Sequence, residues 1–183
     1  MDLSTPTEYA RVTEVIREVF GLEEGLVDWI RRTERAGVDT KKILQTSAKR
    51  GTRIHDYVSK VIQGKKTRIQ KKYKDRTTIL LEYLKDKNPQ TEVALKLDSP
   101  IKHQGHVDYI YQDGTIADLK TGRPRLSHEM QVQGYGYLYE HNVQRPKGLE
   151  LLYLGTSSID IVGVEYSPDL WVSLLKLYEW KKR

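Results

Sequence analysis

The sequence predicts an α/β (α+β) domain, a mixed central β-sheet flanked by helices. Apolar residues recur at helical spacing through the first half of the chain, and from Thr91 onward the period switches to two. A helical run then separates two sets of strand-like runs, and the chain ends on another. The order ααα(α)βββαββα is that of a mixed sheet covered by helices. With 183 residues, 38% of them hydrophobic, the chain has material for one modest core. One domain over 1–183 is expected, helical and basic over 1–88, with a sheet core carrying the key hairpin over 89–183.

Each element has a local reason. Thr5-Pro6-Thr7-Glu8 reads as a capping box with proline at the first helical position. Val12, Val15, Ile16 and Val19 follow at helical spacing, and Gly21 ends the run. A second helix is expected over Glu23 to Arg35, with Leu26, Trp29 and Ile30 on one side and Gly37 as its stop. A third begins after Asp39-Thr40 and carries Ile43, Leu44, Ala48, Ile54, Val58, Val61 and Ile62, closed by Gly64. Gly51 interrupts it at a cost of roughly 1 kcal/mol if helical. It marks either a break between two helices or a close backbone approach. After a lysine-rich connection, a short helix is expected over Thr77 to Lys87, ended by Asn88-Pro89.

In the second half, Val93, Leu95 and Leu97 alternate with Glu92, Ala94 and Lys96, as on a half-buried strand. His106 to Tyr111 and Thr115 to Lys120 read as the arms of a hairpin around Asp113-Gly114. Leu126 to Glu140 reads as a helix despite Gly134 and Gly136. Leu149 to Leu154 and Ile159 to Tyr166 are two further strands. The closing helix, Pro168 to Trp180, carries Leu170, Leu174, Leu175 and Leu177.

Composition excludes several classes of function. No run of about 18 apolar residues is present, so no membrane-spanning helix is expected. The first residues lack the basic and apolar regions of a secretory leader, which points to the cytoplasm. The absence of cysteine removes disulfides, thiol catalysis, cysteine-bound zinc and iron–sulfur clusters. No glycine-rich phosphate loop is present, so no nucleotide cofactor is expected. His103-Gln104-Gly105-His106 is a poor zinc site, because zinc wants more nitrogen or sulfur ligands at better spacing. The net charge of +6 is unevenly spread: residues 41–76 hold 13 Lys/Arg against two acids, while the rest of the chain is net negative. A positive stretch inside a folded domain suggests a polyanionic partner.

The chemistry centres on the hairpin, Gly105-His106-Val107-Asp108 followed by Asp118-Leu119-Lys120-Thr121-Gly122. Alternation puts Asp118 and Lys120 on one face. A two-residue loop would set Asp108 opposite Leu119. A three-residue loop, Gln112-Asp113-Gly114, sets Asp108 opposite Asp118 and His106 opposite Lys120. Gly114 stands where three-residue hairpins need a left-handed residue, so the longer loop is expected. Carboxylates directly opposite each other repel, unless a cation lies between them. Mg²⁺ or Mn²⁺ suits oxygen ligands and would polarise a phosphoryl oxygen and acidify a water. Lys120 could orient that water or stabilise charge on the phosphate. These are the parts of a phosphodiesterase.

These residues resemble the PD-(D/E)XK nuclease superfamily, in particular its RecB-like branch. Asp108 resembles the family's first acid, and Asp118-Leu119-Lys120-Thr121-Gly122 its (D/E)XK element. Gly51-Thr52-Arg53-Ile54-His55 is similar to the upstream glycine–histidine motif, and Gln131-Val132-Gln133-Gly134-Tyr135 to the downstream Gln-x-x-x-Tyr motif. Gln133 and Tyr137 offer a second register for that motif. Glu92 matches a less constant acidic position. The resemblance is greatest to small stand-alone members, phage-type exonucleases and the mitochondrial genome maintenance exonuclease, without iron–sulfur cysteines.

The resemblance implies a restriction-endonuclease-like core and a metal-dependent deoxyribonuclease. Mg²⁺ or Mn²⁺ would be held by His55, Asp108, Asp118 and the Leu119 carbonyl. Lys120 would activate the water, and Gln131 and Tyr135 would position Lys120 or the phosphate. The expected activity is exonucleolytic, on single-stranded DNA or DNA ends, in repair or recombination, in the host cytoplasm if the protein is viral. A junction or flap endonuclease, and a non-catalytic nucleic-acid-binding or assembly protein on the same fold, are the alternatives. DNA would be guided by Lys49, Arg50 and Arg53, and gripped by Arg123 and Arg125 unless these only solvate a loop. A monomer or small homo-oligomer is expected.

Overall fold

The structure is a computed structural model that describes residues 8–21 and 23–183. A short strand β1 (Ala10–Arg11) leads into α1 (Val12–Phe20), followed by α2 (Glu24–Arg35) and α3 (Thr40–Ile62). A 3₁₀ turn precedes α4 (Lys74–Leu84). The sheet strands β2 (Gln90–Leu97), β3 (His103–Ile110) and β4 (Ile116–Lys120) come next, then α5 (Leu126–Asn142), β5 (Leu149–Leu154), β6 (Ile159–Val164) and α6 (Pro168–Lys181).

Two elements, the first helix and α4, depart from expectation, and α3 takes one of the two forms left open for Gly51. The capping box at residues 5–7 lies outside the described residues. The first helix begins only at Val12, because Ala10 and Arg11 pair in parallel with His103 and Gln104. The N-terminal part is therefore not purely helical. Helix α3 runs through Gly51 without a break, its start capped by the Asp39 carboxylate, which accepts the Lys42 N–H at 3.0 Å. A Cβ on Gly51 would lie 3.4 Å from Thr121 Oγ1, so this glycine marks an approach to the hairpin. Helix α4 starts at Lys74 and ends at Leu84, with Lys85–Lys87 tightening into a 3₁₀ turn.

Strand β3 is the hub of the six-stranded mixed sheet. One of its edges pairs antiparallel with β2 from end to end. The other edge is shared by β1 at its start and by β4 at its end, where Tyr109 pairs with Ala117 and Ile110 with Ile116. Between these two short ladders no strand among the described residues pairs with that edge. β5 continues the sheet parallel to β4, and β6 closes it antiparallel to β5. Helices α1, α5 and α6 cover one face, packing Val12, Val15, Val132, Leu138 and Trp171 against Val107, Ile116 and Leu151. Helices α3 and α4 cover the other, packing Ile54, Val58, Leu80 and Leu84 against Tyr109, Leu119 and Leu152. The two glycines that weaken α5 as a helix former are packing choices. A Cβ at Gly134 would sit 2.9 Å from the Trp171 ring, and one at Gly136 2.9 Å from Tyr166. None of the described helices is long and apolar enough to cross a membrane.

One irregularity positions the site. Val107 points into the α5 core, yet Tyr109 points into the α3–α4 core. Alternation therefore breaks at Asp108. The partner strand breaks at the facing position: Thr91 contacts Ser59 of α3 at 2.8 Å while Val93 packs toward α5, and Glu92 between them has φ +54°. Both strands change face together, so their register is kept on either side. A left-handed glutamate within a strand is a strained residue, of order 1 kcal/mol or more.

Candidate active site

The hairpin has the three-residue loop. Tyr111 N–H donates to Thr115 O at 2.9 Å, and Gly114 turns the chain at φ +88°. This register sets Asp108 opposite Asp118, but the backbone ladder ends at Tyr109–Ala117. Beyond it the Asp108 carboxylate takes the place of a strand carbonyl, its Oδ2 accepting the Leu119 N–H at 2.8 Å. The expected pair of carboxylates on one face is thereby corrected: Asp118 follows Lys120 toward α5, whereas the face change turns Asp108 toward α3. His106 does not pair with Lys120; it lies beyond the end of the ladder and is exposed.

Two clusters meet at this gap. On the α3 side, His55 Nδ1 lies 3.1 Å from Asp108 Oδ1. Glu92 joins them, and one potential ligand atom from each of the three falls within 4.8 Å of the others. On the α5 side, Lys120 Nζ approaches Asp118 Oδ2 to 2.6 Å and donates to Gln131 Oε1 at 2.8 Å. Gln131 Nε2 in turn donates to the Tyr135 hydroxyl at 2.7 Å. Of the two Gln-x-x-x-Tyr registers, Gln131 with Tyr135 is thus the one that reaches Lys120. Gln133 instead bonds the backbone at Glu165 and Ser167, holding the approach to α6. Gly105 makes room for Tyr135: a Cβ there would stand 2.7 Å from the ring.

The electrostatics follow the geometry. Burial raises Asp118 to about 6, against the pull of Lys120 and with added repulsion from Asp108. Burial pushes Asp108 up too, but the charge and hydrogen bond of His55, with Lys120 and the Leu119 N–H, hold it below the usual carboxylate range. Burial lowers His55, but the charge and hydrogen bond of Asp108, with the charge of Asp118, together outweigh it for a net rise. Burial and Asp108 both raise Glu92.

The residues fit a hard divalent cation. Asp118 Oδ2 is buried, and its one close partner is the Lys120 ammonium at 2.6 Å. A buried carboxylate with one cationic partner, next to a His–Glu–Asp cluster, has lone pairs left for such an ion. His55, Glu92 and Asp108 form the tighter ligand set, and Asp118, close enough to feel the charges of Asp108 and His55, can join it from the α5 side. Leu119 lines the cleft they open into, its N–H already committed to Asp108.

That cleft encloses about 710 Å³ and is lined by His55, Glu92, Asp108 and Lys120, with Arg123, Arg125 and His128 on its rim. Arg123 and Arg125 therefore line the same cleft as Lys120. Lys49, Arg50 and Arg53 are not among the lining residues. Helix α3 faces the cleft with Ala48, Gly51, Thr52 and His55, and helical spacing carries 49, 50 and 53 off that stripe. Lys49 and Arg53 are exposed, while Arg50 is half-buried and donates to the Thr121 carbonyl at 3.3 Å. Sequence reasoning passed over His128, although its position three residues before Gln131 was a signal that they share a helix face. His103 is a core residue: Nδ1 contacts Ile101 O at 2.7 Å and Nε2 accepts from the Trp171 indole at 3.2 Å.

No family model matches the sequence, and no curated protein matches it. Solved structures do match in shape. The chain is similar to a protein designated SSO0001, at 17% identity and a TM-score of 0.59, covering 98% of this chain and 79% of that one. It is similar to a candidate exonuclease from Eubacterium rectale, at 13% identity and a TM-score of 0.55, covering 94% and 78%. It is also similar to an alkaline exonuclease, LHK-Exo, from Laribacter hongkongensis, at 11% identity and a TM-score of 0.50, covering 96% and 86%. At these identities the likeness is one of fold. The mixed sheet with helices on both faces is of the restriction-endonuclease-like class.

Proposed function

We propose that this protein is a divalent-metal-dependent nuclease that hydrolyses phosphodiester bonds of DNA, acting as an exonuclease on single strands or ends. The observation that carries this reading is the position of Lys120. Its ammonium is held between Asp118 and Gln131, beside the His55–Glu92–Asp108 group, in a cleft rimmed by Arg123 and Arg125. Two fold neighbours described as exonucleases agree with it.

His55, Glu92 and Asp108 would hold Mg²⁺ or Mn²⁺ together with Asp118, and the Leu119 carbonyl would be a further donor. A bound ion of this kind supplies Lewis-acid polarisation of a phosphoryl oxygen and acidifies a water. Lys120 orients the attacking water and stabilises charge gathering on the phosphate. Gln131 fixes the ammonium, and Tyr135 fixes Gln131. Arg123 and Arg125 grip the strand, and the positive segment 41–76 draws it in by charge.

The test is to incubate the protein with end-labelled linear single-stranded, duplex and circular single-stranded DNA, in EDTA, Mg²⁺ or Mn²⁺. Metal-dependent loss of linear but not circular strands, abolished in Asp118→Asn and Lys120→Ala, is the expected result. Cutting of circles would replace the exonuclease with an endonuclease. Salt-sensitive binding without cleavage under any condition would refute the enzymatic reading.

A further inference from the structure

We propose that His128 is a substrate-contact residue whose Nε2–H donates a hydrogen bond to a non-bridging oxygen of a nucleic-acid phosphate in the cleft. The inference rests on the nuclease reading and adds a residue to it.

His128 lies in the first turn of α5 and lines the cleft beside Lys120, Thr121, Arg123 and Arg125. Its Nδ1 is taken, lying 3.2 Å from the Tyr153 hydroxyl, with the two rings 5.8 Å apart. We assign the Tyr153 hydroxyl as the donor in this contact and Nδ1 as its acceptor, the arrangement of a neutral ring. An accepting Nδ1 puts the imidazole proton on Nε2. Nε2 has no hydrogen-bond partner among the described residues. The site thus holds a fixed tautomer with one unused donor in a cleft already lined by cations.

The surroundings keep that donor neutral and in place. Burial, then Lys120 and Arg125, lower His128 to about 4, so the ring is uncharged at neutral pH. A neutral N–H adds a directional bond to a phosphate without adding repulsion to the cations around it. The turn that carries it is anchored, because the Glu23 carboxylate accepts both the N–H of Ser127, at 3.3 Å, and its hydroxyl, at 2.6 Å. Glu23 also ion-pairs with Arg125 at 3.8 Å, which leaves part of the phosphate-binding work at this rim to a neutral donor.

The experiment measures binding of a short single-stranded oligonucleotide in EDTA by the wild-type protein, His128→Phe and His128→Gln, with melting temperatures as a check on folding. Each binds the same oligonucleotide carrying single methylphosphonates, which remove one anionic oxygen at a time. Wild type is expected to lose roughly 10-fold in affinity at one phosphate, the scale of one hydrogen bond to a charged group. His128→Phe is expected to show that loss already on the unmodified strand and no further loss at that phosphate. His128→Gln, which keeps an N–H near the Nε2 position, is expected to stay within about 3-fold of wild type. The proposal is overturned if His128→Phe binds like wild type, if every methylphosphonate effect survives in it, or if no oligonucleotide binds at all. Because the readout is binding, a protein that binds in this pattern and never cleaves would refute the nuclease reading alone. One that cleaves and binds normally as His128→Phe would refute this inference alone.

Discussion

Replacing Asp118 with asparagine should stabilise the metal-free protein at mildly alkaline pH while removing its response to divalent ions. Asp118 is 1% exposed, and burial lifts its folded-state value from 3.8 to about 6. A raised acid contributes most below its unfolded value, where it is protonated in both states. That contribution falls as pH rises from about 4 to about 6, and stays lost above. Two units correspond to about 3 kcal/mol. Asparagine escapes this penalty, which is already net of the Lys120 ion pair, but its own amide must be buried beside the Lys120 ammonium. The net gain should therefore be smaller, about 1–2 kcal/mol, or roughly 3–6 °C in melting temperature for a domain of this size. Thermal melts of both proteins across about pH 4–8, in EDTA and then with Mg²⁺ or Mn²⁺, read this directly. The curves should converge at the acid end, separate above about pH 6 in EDTA, and close again when the ion stabilises only wild type. An Asp118→Asn protein that melts below wild type in EDTA at the alkaline end would show that the Lys120 ion pair outweighs the burial cost. The reasoning would then be refuted.

Three further changes probe the remaining parts of the site. Lys120→Met should lower cleavage by at least about 100-fold while leaving Mn²⁺ affinity within a few-fold, as read by calorimetric titration. Glu92→Asn puts an uncharged residue that tolerates left-handed φ at the strained position. It should raise the stability of the metal-free protein by about 1 kcal/mol in a urea titration and weaken Mn²⁺ binding. Gly105→Ala drives a methyl against the Tyr135 ring. It should cost about 1–3 kcal/mol in the same titration and lower activity more than Tyr135→Phe, which loses only one hydrogen bond.

Much of this architecture was legible because it rests on local rules. The periods of two and 3.6 locate the strands and helices, and one glycine in the right place specifies the hairpin loop. Asp118 with Lys120, and Gln131 with Tyr135, follow from fixed offsets along one strand and one helix. What was not legible depends on partners distant in sequence. Ala10 and Arg11 become a strand only because β3 offers them an edge, and Gly51 sits where α3 comes close to Thr121 of the hairpin. The change of face at Glu92 and Asp108 has no sequence signature, since neither residue is glycine and register is kept on both sides. It is also what moved Asp108 from its expected place. The basic residues of α3 show the limit of charge counting: Lys49 and Arg53 belong to the positive segment, yet their helical angle turns them from the cleft.

The gap between β3 and β4 explains why these residues must act together. Asp118 and Lys120 come from the sheet face covered by α5, and His55, Glu92 and Asp108 from the face covered by α3. In an unbroken sheet the backbone would separate the two groups. They meet only because Asp108 accepts the Leu119 N–H with its side chain, which lets the strands part without stranding a backbone donor. Asp108 is thus a structural element as well as a candidate ligand, and deleting it would unpair Leu119 and His55 at once. Lys120 faces the converse problem. An ion held by Asp118 would compete for the carboxylate that now pairs with the ammonium. The Gln131–Tyr135 chain gives Lys120 a second, uncharged acceptor that an ion at Asp118 would not displace. On this reasoning Gln131 keeps the ammonium in place once Asp118 has changed partners. Losing Gln131 would therefore do more harm with the ion bound than without it.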